Sequence, residues 1–129
     1  MKKIYVLMII SIIATIFVVL SLNFKFTPKD KSQLIKLINK EYISLEDIDV
    51  SNITDMSRLF LASSRKDFSG IENWNVSNVI SMGAMFYEAA EFSQDLNRWK
   101  INKFVNTGDM FYGSKMNKEN KLPSWYEEF

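Results

Sequence analysis

The side chains that most often carry out protein chemistry are scarce in this chain. Its 129 residues include no cysteine and no histidine, which removes thiolate nucleophiles, disulfides, the commonest general base and the commonest metal ligands. Glu91 and Asp95 with Gln94 could form a cation site, and Asp67 with Glu72 could form an acid–base pair. No orienting group or pocket accompanies either set. We therefore expect these groups to lie in solvated loops, with no metal, no cofactor and no catalysis.

One motif occurs three times at a nearly constant interval. Residues 50–60 read VSNITDMSRLF, residues 76–86 read VSNVISMGAMF, and residues 101–111 read INKFVNTGDMF, at offsets of 26 and 25 residues. A period of this size is typical of stacked supersecondary units, because one such unit cannot bury its apolar side alone. The sequence therefore raises the question of which surface the chain builds, rather than which reaction it catalyses.

Within each repeat, the order of residue types predicts a strand, a turn and a helix. The β-branched Val50, Val76 and Ile101 favour a short strand. The next apolar positions are Ile53, Val79 and Phe104. Methionine and phenylalanine then follow at i, i+3 and i+4, which is the spacing of one helix face. The pattern predicts an α/β fold, a short right-handed solenoid of about three strand–turn–helix repeats.

Large apolar side chains recur in step with the repeat and predict a shared core. The methionines could instead form a soft metal site, and the tryptophans could be ligand platforms. Their regular spacing favours core packing, with the tryptophans stacked between successive repeats as a ladder. The positions are Met56, Met82, Met85, Met110, Phe60, Phe86, Phe111, Trp74, Trp99 and Trp125.

The repeats divide the chain into parts. Residues 1–22 form a signal anchor or signal peptide, 23–31 a linker, 32–47 an N-terminal capping helix and strand, 48–121 the repeats, and 122–129 a C-terminal cap. The repeats span about 48–73, 74–98 and 99–121. In the N-terminal cap, apolar spacing predicts a helix over 32–40 with Ser32 as N-cap, followed by a strand over 42–48.

The N-terminal segment is apolar over nineteen residues. Residues 4–22 carry no charge and, as a helix, would span about 28 Å, close to the ~30 Å hydrocarbon core of a bilayer. With Lys2 and Lys3 before it, this run predicts a transmembrane or signal helix. Two fates stay open: an uncleaved anchor in a single-pass membrane protein, or a cleaved signal peptide of a secreted protein. Lysines also follow the run, so the distribution of positive charge does not determine its orientation. We infer an extracytoplasmic repeat domain from the signal-like start.

The variable positions of the repeats are the candidate contact residues. Beyond residue 22 the net charge is −1, which gives no electrostatic footprint for nucleic acid. Exposed aromatic and charged side chains on stacked repeats can instead bind a protein, and an ordinary mixed surface is the alternative. The candidate binding residues are Tyr87, Glu88, Arg98, Lys100, Lys103 and Tyr112.

The second repeat is the most complete copy and carries a family resemblance. Residues 67–99 read DFSGIENWNVSNVISMGAMFYEAAEFSQDLNRW. This segment resembles the repeats of bacterial BspA-like leucine-rich-repeat surface proteins, in which Trp, Val-Ser-Asn-Val, Met, Met-Phe and Gln-Asp-Leu follow in the same order. The resemblance implies an α/β solenoid located on or beyond the cell membrane, and it transfers no catalytic residue.

The function expected from the repeats and the resemblance is binding. We expect a non-catalytic protein-binding module of the cell envelope or surface, with a role in adhesion or cell contact and no small-molecule substrate. The alternative is a membrane-anchored structural scaffold with no ligand of its own. In both cases, residues 4–22 would contact the membrane.

Overall fold

The computed structural model describes residues 2–22 and 25–127, and it gives side-chain surroundings for 2–16 and 25–127. The helices are α1 at Lys2–Leu22, α2 at Lys31–Ile38 and α3 at Lys115–Lys118, with 3-10 helices at Leu45–Asp47 and Ile71–Asn73. Single parallel β-bridges join Phe26 to Ile48, Asp55 to Ser81 and Ser81 to Asn106. No sheet forms among the described residues.

The predicted α/β solenoid of strand–turn–helix repeats is therefore wrong. Within the described residues, the repeats contain neither the strands predicted at Val50, Val76 and Ile101 nor the helices predicted after them. Each repeat is instead a series of turns. We call the repeats coil 1 (48–73), coil 2 (74–98) and coil 3 (99–121). Hydrogen bonds join coil 1 to coil 2 and coil 2 to coil 3, so the coils follow one another in chain order.

A ladder of backbone hydrogen bonds between coils replaces the predicted helices. The N–H groups of Met56, Arg58, Phe60 and Ala62 donate to the carbonyl oxygens of Ser81, Gly83, Met85 and Tyr87 at 2.7–2.9 Å. The N–H groups of Met82, Ala84, Phe86 and Glu88 donate to Asn106, Gly108, Met110 and Tyr112 at 2.7–2.8 Å. An α-helix would direct these donors to carbonyls four residues earlier in the same coil. The ladder and the helix are therefore mutually exclusive.

Tight turns place alternate N–H groups on the side of the next coil. In coil 1, Leu59 N–H donates to Met56 O and Ser63 N–H donates to Phe60 O. The third residue of each turn has positive φ: 56° at Arg58 and 51° at Ala62. The same turns recur with positive φ at Ala84, Glu88, Asp109 and Gly113. A left-handed non-glycine residue costs about 1–2 kcal/mol, so the stacking of the coils must maintain this conformation.

A column of phenylalanine rings forms the centre of the core. The rings of Phe60 and Phe86 are parallel to within 4° at 5.5 Å between centroids, and those of Phe86 and Phe111 to within 3° at 5.7 Å. Phe92 stacks on Phe86 at 3.7 Å. The methionines predicted for the core, Met56, Met82, Met85 and Met110, are all fully buried. The sequence-based prediction of these core residues is confirmed.

The tryptophans connect each coil to the part of the chain before it. The indole Nε1–H of Trp74 donates to Leu45 O at 2.7 Å, and that of Trp99 donates to Ile71 O at 3.0 Å. Trp74 and Trp99 are each 5% exposed. Trp125 continues the pattern with a bond to Leu96 O at 2.8 Å and a ring 6.3 Å from that of Trp99. Because each indole is buried, its polar N–H needs such a partner.

The third copy enters its turn one residue later than the sequence alignment predicts. Val105 N–H donates to Asn102 O, as Val79 N–H donates to Val76 O. Val105 is therefore equivalent to Val79, and Phe104, predicted to fill that apolar position, is 78% exposed. One residue separates Val79 from Ser81, whereas Val105 is followed directly by Asn106. Coil 3 is therefore one residue shorter at this point, and the bridge between Ser81 and Asn106 shows that the two coils are back in register.

The N-terminal cap closes coil 1 with a helix and a single bridge. Helix α2 begins at Lys31 and ends at Ile38, and its N-cap is Asp30 rather than the predicted Ser32, because Asp30 Oδ1 accepts the Gln33 N–H at 2.9 Å. The strand predicted over 42–48 is absent, and a 3-10 helix occupies Leu45–Asp47. Leu34 and Ile38 on α2 are buried against the core.

A buried arginine joins this cap to coil 1. Arg65 is 5% exposed, and its guanidinium donates to Ile38 O at 2.8 Å, Ile43 O at 2.9 Å and Asp67 O at 2.6 Å. Burial lowers the pKa of Arg65, and the charges of Glu41 and Asp67 oppose that effect. One cation thus satisfies three carbonyls: one at the end of α2, one in the loop after it and one in coil 1.

The C-terminal cap covers coil 3. Ser114 caps α3 by accepting the Asn117 N–H, and Met116 N–H donates to Phe92 O at 2.8 Å. The ring of Tyr126 meets that of Phe111 edge-on at 5.0 Å. The open end of the phenylalanine column is therefore closed by residues from beyond the last coil.

The membrane-spanning helix expected at the N-terminus is not supported. Helix α1 does form, but in the described part of the chain no helix is both long enough and apolar enough to cross a bilayer.

Substitution of Gly70 tests the packing of coil 1 on the N-terminal cap. Gly70 has φ of 91°, and an added Cβ would lie 2.6 Å from Glu46 N. We expect Gly70→Ala to lower the free energy of unfolding by ~3 kcal/mol, through left-handed strain and a backbone clash. Gly83→Ala is the control, because its nearest neighbour would be 3.6 Å away. Urea unfolding followed by tryptophan fluorescence measures both variants, and equal midpoints would contradict the packing described.

Replacing Arg65 tests the connection between α2 and coil 1. We expect Arg65→Met to destabilise the fold by ~3 kcal/mol, because three carbonyls lose a charged donor in a buried site. The adjacent Lys66 is exposed, so Lys66→Met serves as the control and should leave the unfolding midpoint within error. A midpoint for Arg65→Met equal to that of the control would show that the guanidinium is dispensable.

Candidate binding surface

The outward side of the ladder forms a surface of three rows with equivalent backbone turns. We call this surface, made of residues 54–62, 80–88 and 106–113, the ladder face. Small residues lie at its centre, with Gly83 and Ala84 in coil 2 and Gly108 in coil 3. Because the backbone below them is hydrogen-bonded from coil to coil, this part of the surface is low in relief and held in register.

An aromatic pair projects from one side of the ladder face. The rings of Tyr87 and Tyr112 stack with centroids 5.0 Å apart and planes 25° apart. Leu61 takes the equivalent place in coil 1 and is 44% exposed, while Tyr112 is 57% exposed. We call Leu61, Tyr87 and Tyr112 the tyrosine row. Stacked, solvent-facing tyrosines offer large contact area with few rotatable bonds, which suits recognition of another protein.

Acidic groups surround the tyrosine row. The pKa of Tyr87 is raised, first by partial desolvation of its hydroxyl and then by the charges of Glu88, Tyr112 and Asp109. At neutral pH the Tyr87 phenol is protonated, as a tyrosine of ordinary pKa also is, and can donate a hydrogen bond. The chemistry of this region is hydrogen bonding and apolar contact beside negative charge.

The structure brings together three of the six candidate binding residues. Tyr87, Glu88 and Tyr112 lie at the tyrosine row. The three cations lie elsewhere: Arg98 and Lys100 are exposed on either side of the buried Trp99, and Lys103 places its Nζ 4.8 Å from the Phe104 ring centroid. The sequence shows that these positions differ from one repeat to the next. It does not show which of them the turns place on the same face of the molecule.

The carboxylates considered for chemistry stabilise turns. Asp67 accepts from the Ser69 N–H and hydroxyl, and these bonds lower its pKa. Asp95 accepts from Asn97 N–H and Nδ2, with the same effect on its pKa. Among residues 2–22 and 25–127, no group of three or more acidic side chains is arranged to hold a metal ion.

A cavity lies between coil 3 and the C-terminal cap. Its volume is about 360 Å³, and it is lined by Thr107, Asp109, Tyr112 and Asn117 from coil 3 together with Tyr126 from the cap. Sequence reasoning missed this cavity. Its walls come from segments that are distant in sequence and are brought together by the turn at the end of coil 3. No residue pattern predicts that these segments lie side by side.

Comparison with protein families matches residues 29–127 to the family described as "Mycoplasma protein of unknown function, DUF285". The chain belongs to this family. The match covers the caps and all three coils and leaves α1 outside. Neither the curated proteins nor the solved structures contain a match to the chain. The expected leucine-rich-repeat class is not supported, since the family description does not give it and the described coils lack its strands.

The raised pKa of Tyr87 can be measured by NMR titration of labelled tyrosine ring carbons. We expect Tyr87 to titrate above the ordinary value of 10.0. In Glu88→Gln, its pKa should move towards that value, because one neighbouring negative charge is lost. Glu91→Gln is the control, since Glu91 is exposed and does not contribute to this shift. An unchanged Tyr87 pKa in Glu88→Gln would place Glu88 away from the ring.

Proposed function

We propose that the chain is a non-catalytic protein-binding module that contacts its partner through the ladder face and the tyrosine row. The stacked pair of half-buried Tyr87 and exposed Tyr112, on a hydrogen-bonded backbone, carries this proposal. Tyrosine is enriched at the energetic centres of protein interfaces. A surface that is already ordered loses little conformational entropy when it binds.

We also propose a relationship to BspA-like surface proteins and a place outside the cytoplasm. The order of residues in coil 2 supports the first, and the lysines followed by an apolar run support the second. Adhesion or contact with another cell is the role that this relationship suggests. Protease treatment of intact cells tests the location: cleavage of the coils supports it, and full protection contradicts it.

The binding function is tested by loss of the tyrosine row. The full chain is used to recover partners from an envelope extract, and recovered proteins are quantified by mass spectrometry. The double variant Tyr87→Ala/Tyr112→Ala should reduce a specific partner by tenfold or more. Tyr42→Ala is the matched control, because Tyr42 is 83% exposed and outside the coils. Equal recovery by a double variant with a wild-type unfolding midpoint would contradict the proposal.

A scaffold without its own ligand gives a different result. When residues 1–22 are deleted, a binding module keeps its partner, because the coils and caps lie in residues 25–127. A scaffold that associates only through its N-terminal helix loses it. The same pull-down, performed with the shortened chain after its unfolding midpoint has been measured, separates the two.

A further inference from the structure

The ladder ends in an unused row of donors. The N–H groups of coil 1 and coil 2 at equivalent positions each bond to a carbonyl of the next coil. In coil 3 the equivalent residues are Thr107, Asp109, Phe111 and Gly113, whose N–H groups have no acceptor within the described residues. We call these four N–H groups the donor edge. Each earlier row of N–H groups donates to the carbonyls of alternate residues of one segment, so the donor edge is spaced for another such segment.

The donor edge adjoins the cavity under the C-terminal cap. Thr107 and Asp109 belong to both, and Asp109 is exposed. A cavity of about 360 Å³ beside the edge leaves room for side chains of a bound segment. An unpaired edge of this kind is a known route of association, in which an extended peptide adds to a hydrogen-bonded array.

The charge of the cavity indicates which side chains such a segment carries. Among the described residues, its lining includes two acidic side chains, Asp109 and Glu127, and no basic one. A lysine or arginine entering the cavity would face these carboxylates, whereas an acidic side chain would be repelled. Charge complementarity therefore favours a basic segment.

The caps argue against a second copy of the chain as the occupant. Tyr126 covers the core side of coil 3 at Phe111. On the carbonyl side of coil 1, Lys31 of α2 bonds to Asp55 and Ser57. Two whole coils could stack only if both caps moved, while a single extended segment needs access only to the edge itself, where Asp109 is exposed and Thr107 and Gly113 are half-buried.

We propose that a basic, extended segment of a partner protein binds along the donor edge, with its backbone carbonyls accepting the N–H groups of Thr107, Asp109, Phe111 and Gly113. The inference deepens the proposed binding function and rests on it. It assigns the segment's backbone to the open end of the ladder and its basic side chain to the cavity under the cap.

The test selects peptides on the full chain from a displayed library of random ten-residue sequences, and then measures amide hydrogen exchange by NMR. We expect enriched peptides to contain lysine or arginine and to slow exchange at Thr107, Asp109, Phe111 and Gly113 by tenfold or more. Asp109→Asn with Glu127→Gln should weaken binding about tenfold, since both keep the shape and remove the charge. Asp95→Asn, on the loop after coil 2's ladder segment, is the control and should bind normally.

Three outcomes would overturn the inference: no enriched peptide, enriched peptides that leave the donor edge unprotected, or protection that appears without peptide as the concentration of the chain rises. The last would identify a second copy as the occupant.

Failure of this inference is distinguishable from failure of the proposed function. If binding uses the tyrosine row alone, the envelope pull-down still depends on Tyr87 and Tyr112 while the donor edge stays unprotected.

Discussion

Backbone hydrogen bonding between successive coils is the constraint on which this fold depends. Alternate N–H groups from Met56 to Ala62 point to coil 2, and those from Met82 to Glu88 point to coil 3. This arrangement requires a residue of positive φ at the third place of every turn. One such strain of about 1–2 kcal/mol is comparable to the net gain of one hydrogen bond. The ladder therefore fixes the register, and burial of the phenylalanine column and the methionines provides most of the stabilisation.

The same constraint produces the surfaces that could bind. Because the alternate donors from Met56 to Ala62 and from Met82 to Glu88 point towards the next coil, every carbonyl row of the ladder but the first and every donor row but the last is used. In coil 3 the equivalent N–H groups have no acceptor within the described residues, because the C-terminal cap packs on the core side chains and does not bond to these donors. The exposed side chains of the turns lie in aligned rows, and one of these rows holds the stacked tyrosines. Repetition of a backbone geometry thus creates a flat face and a polar edge.

The sequence predicts the period and the buried residues, but not the backbone that connects them. Met56 and Phe60 are four residues apart and share a buried side both in a helix and in consecutive turns, so the pattern cannot distinguish the two. Glycine would have signalled the turns, but of the six turn positions with positive φ only Gly113 is a glycine. Phe104 is apolar and is therefore predicted to lie in the core, but the hydrogen-bond register shows that Val105 occupies the position equivalent to Val79. The partners of Arg65 come from distant segments and have no local signal at all.

Scalar couplings across hydrogen bonds test the ladder most directly. NMR on the labelled chain measures the coupling between an amide nitrogen and the carbonyl carbon that accepts its proton. The structure predicts couplings from Met56 to Ser81, Phe60 to Met85 and Phe86 to Met110. Couplings from Phe60 to Met56 and from Phe86 to Met82, as in a helix, together with none between coils, would contradict the account.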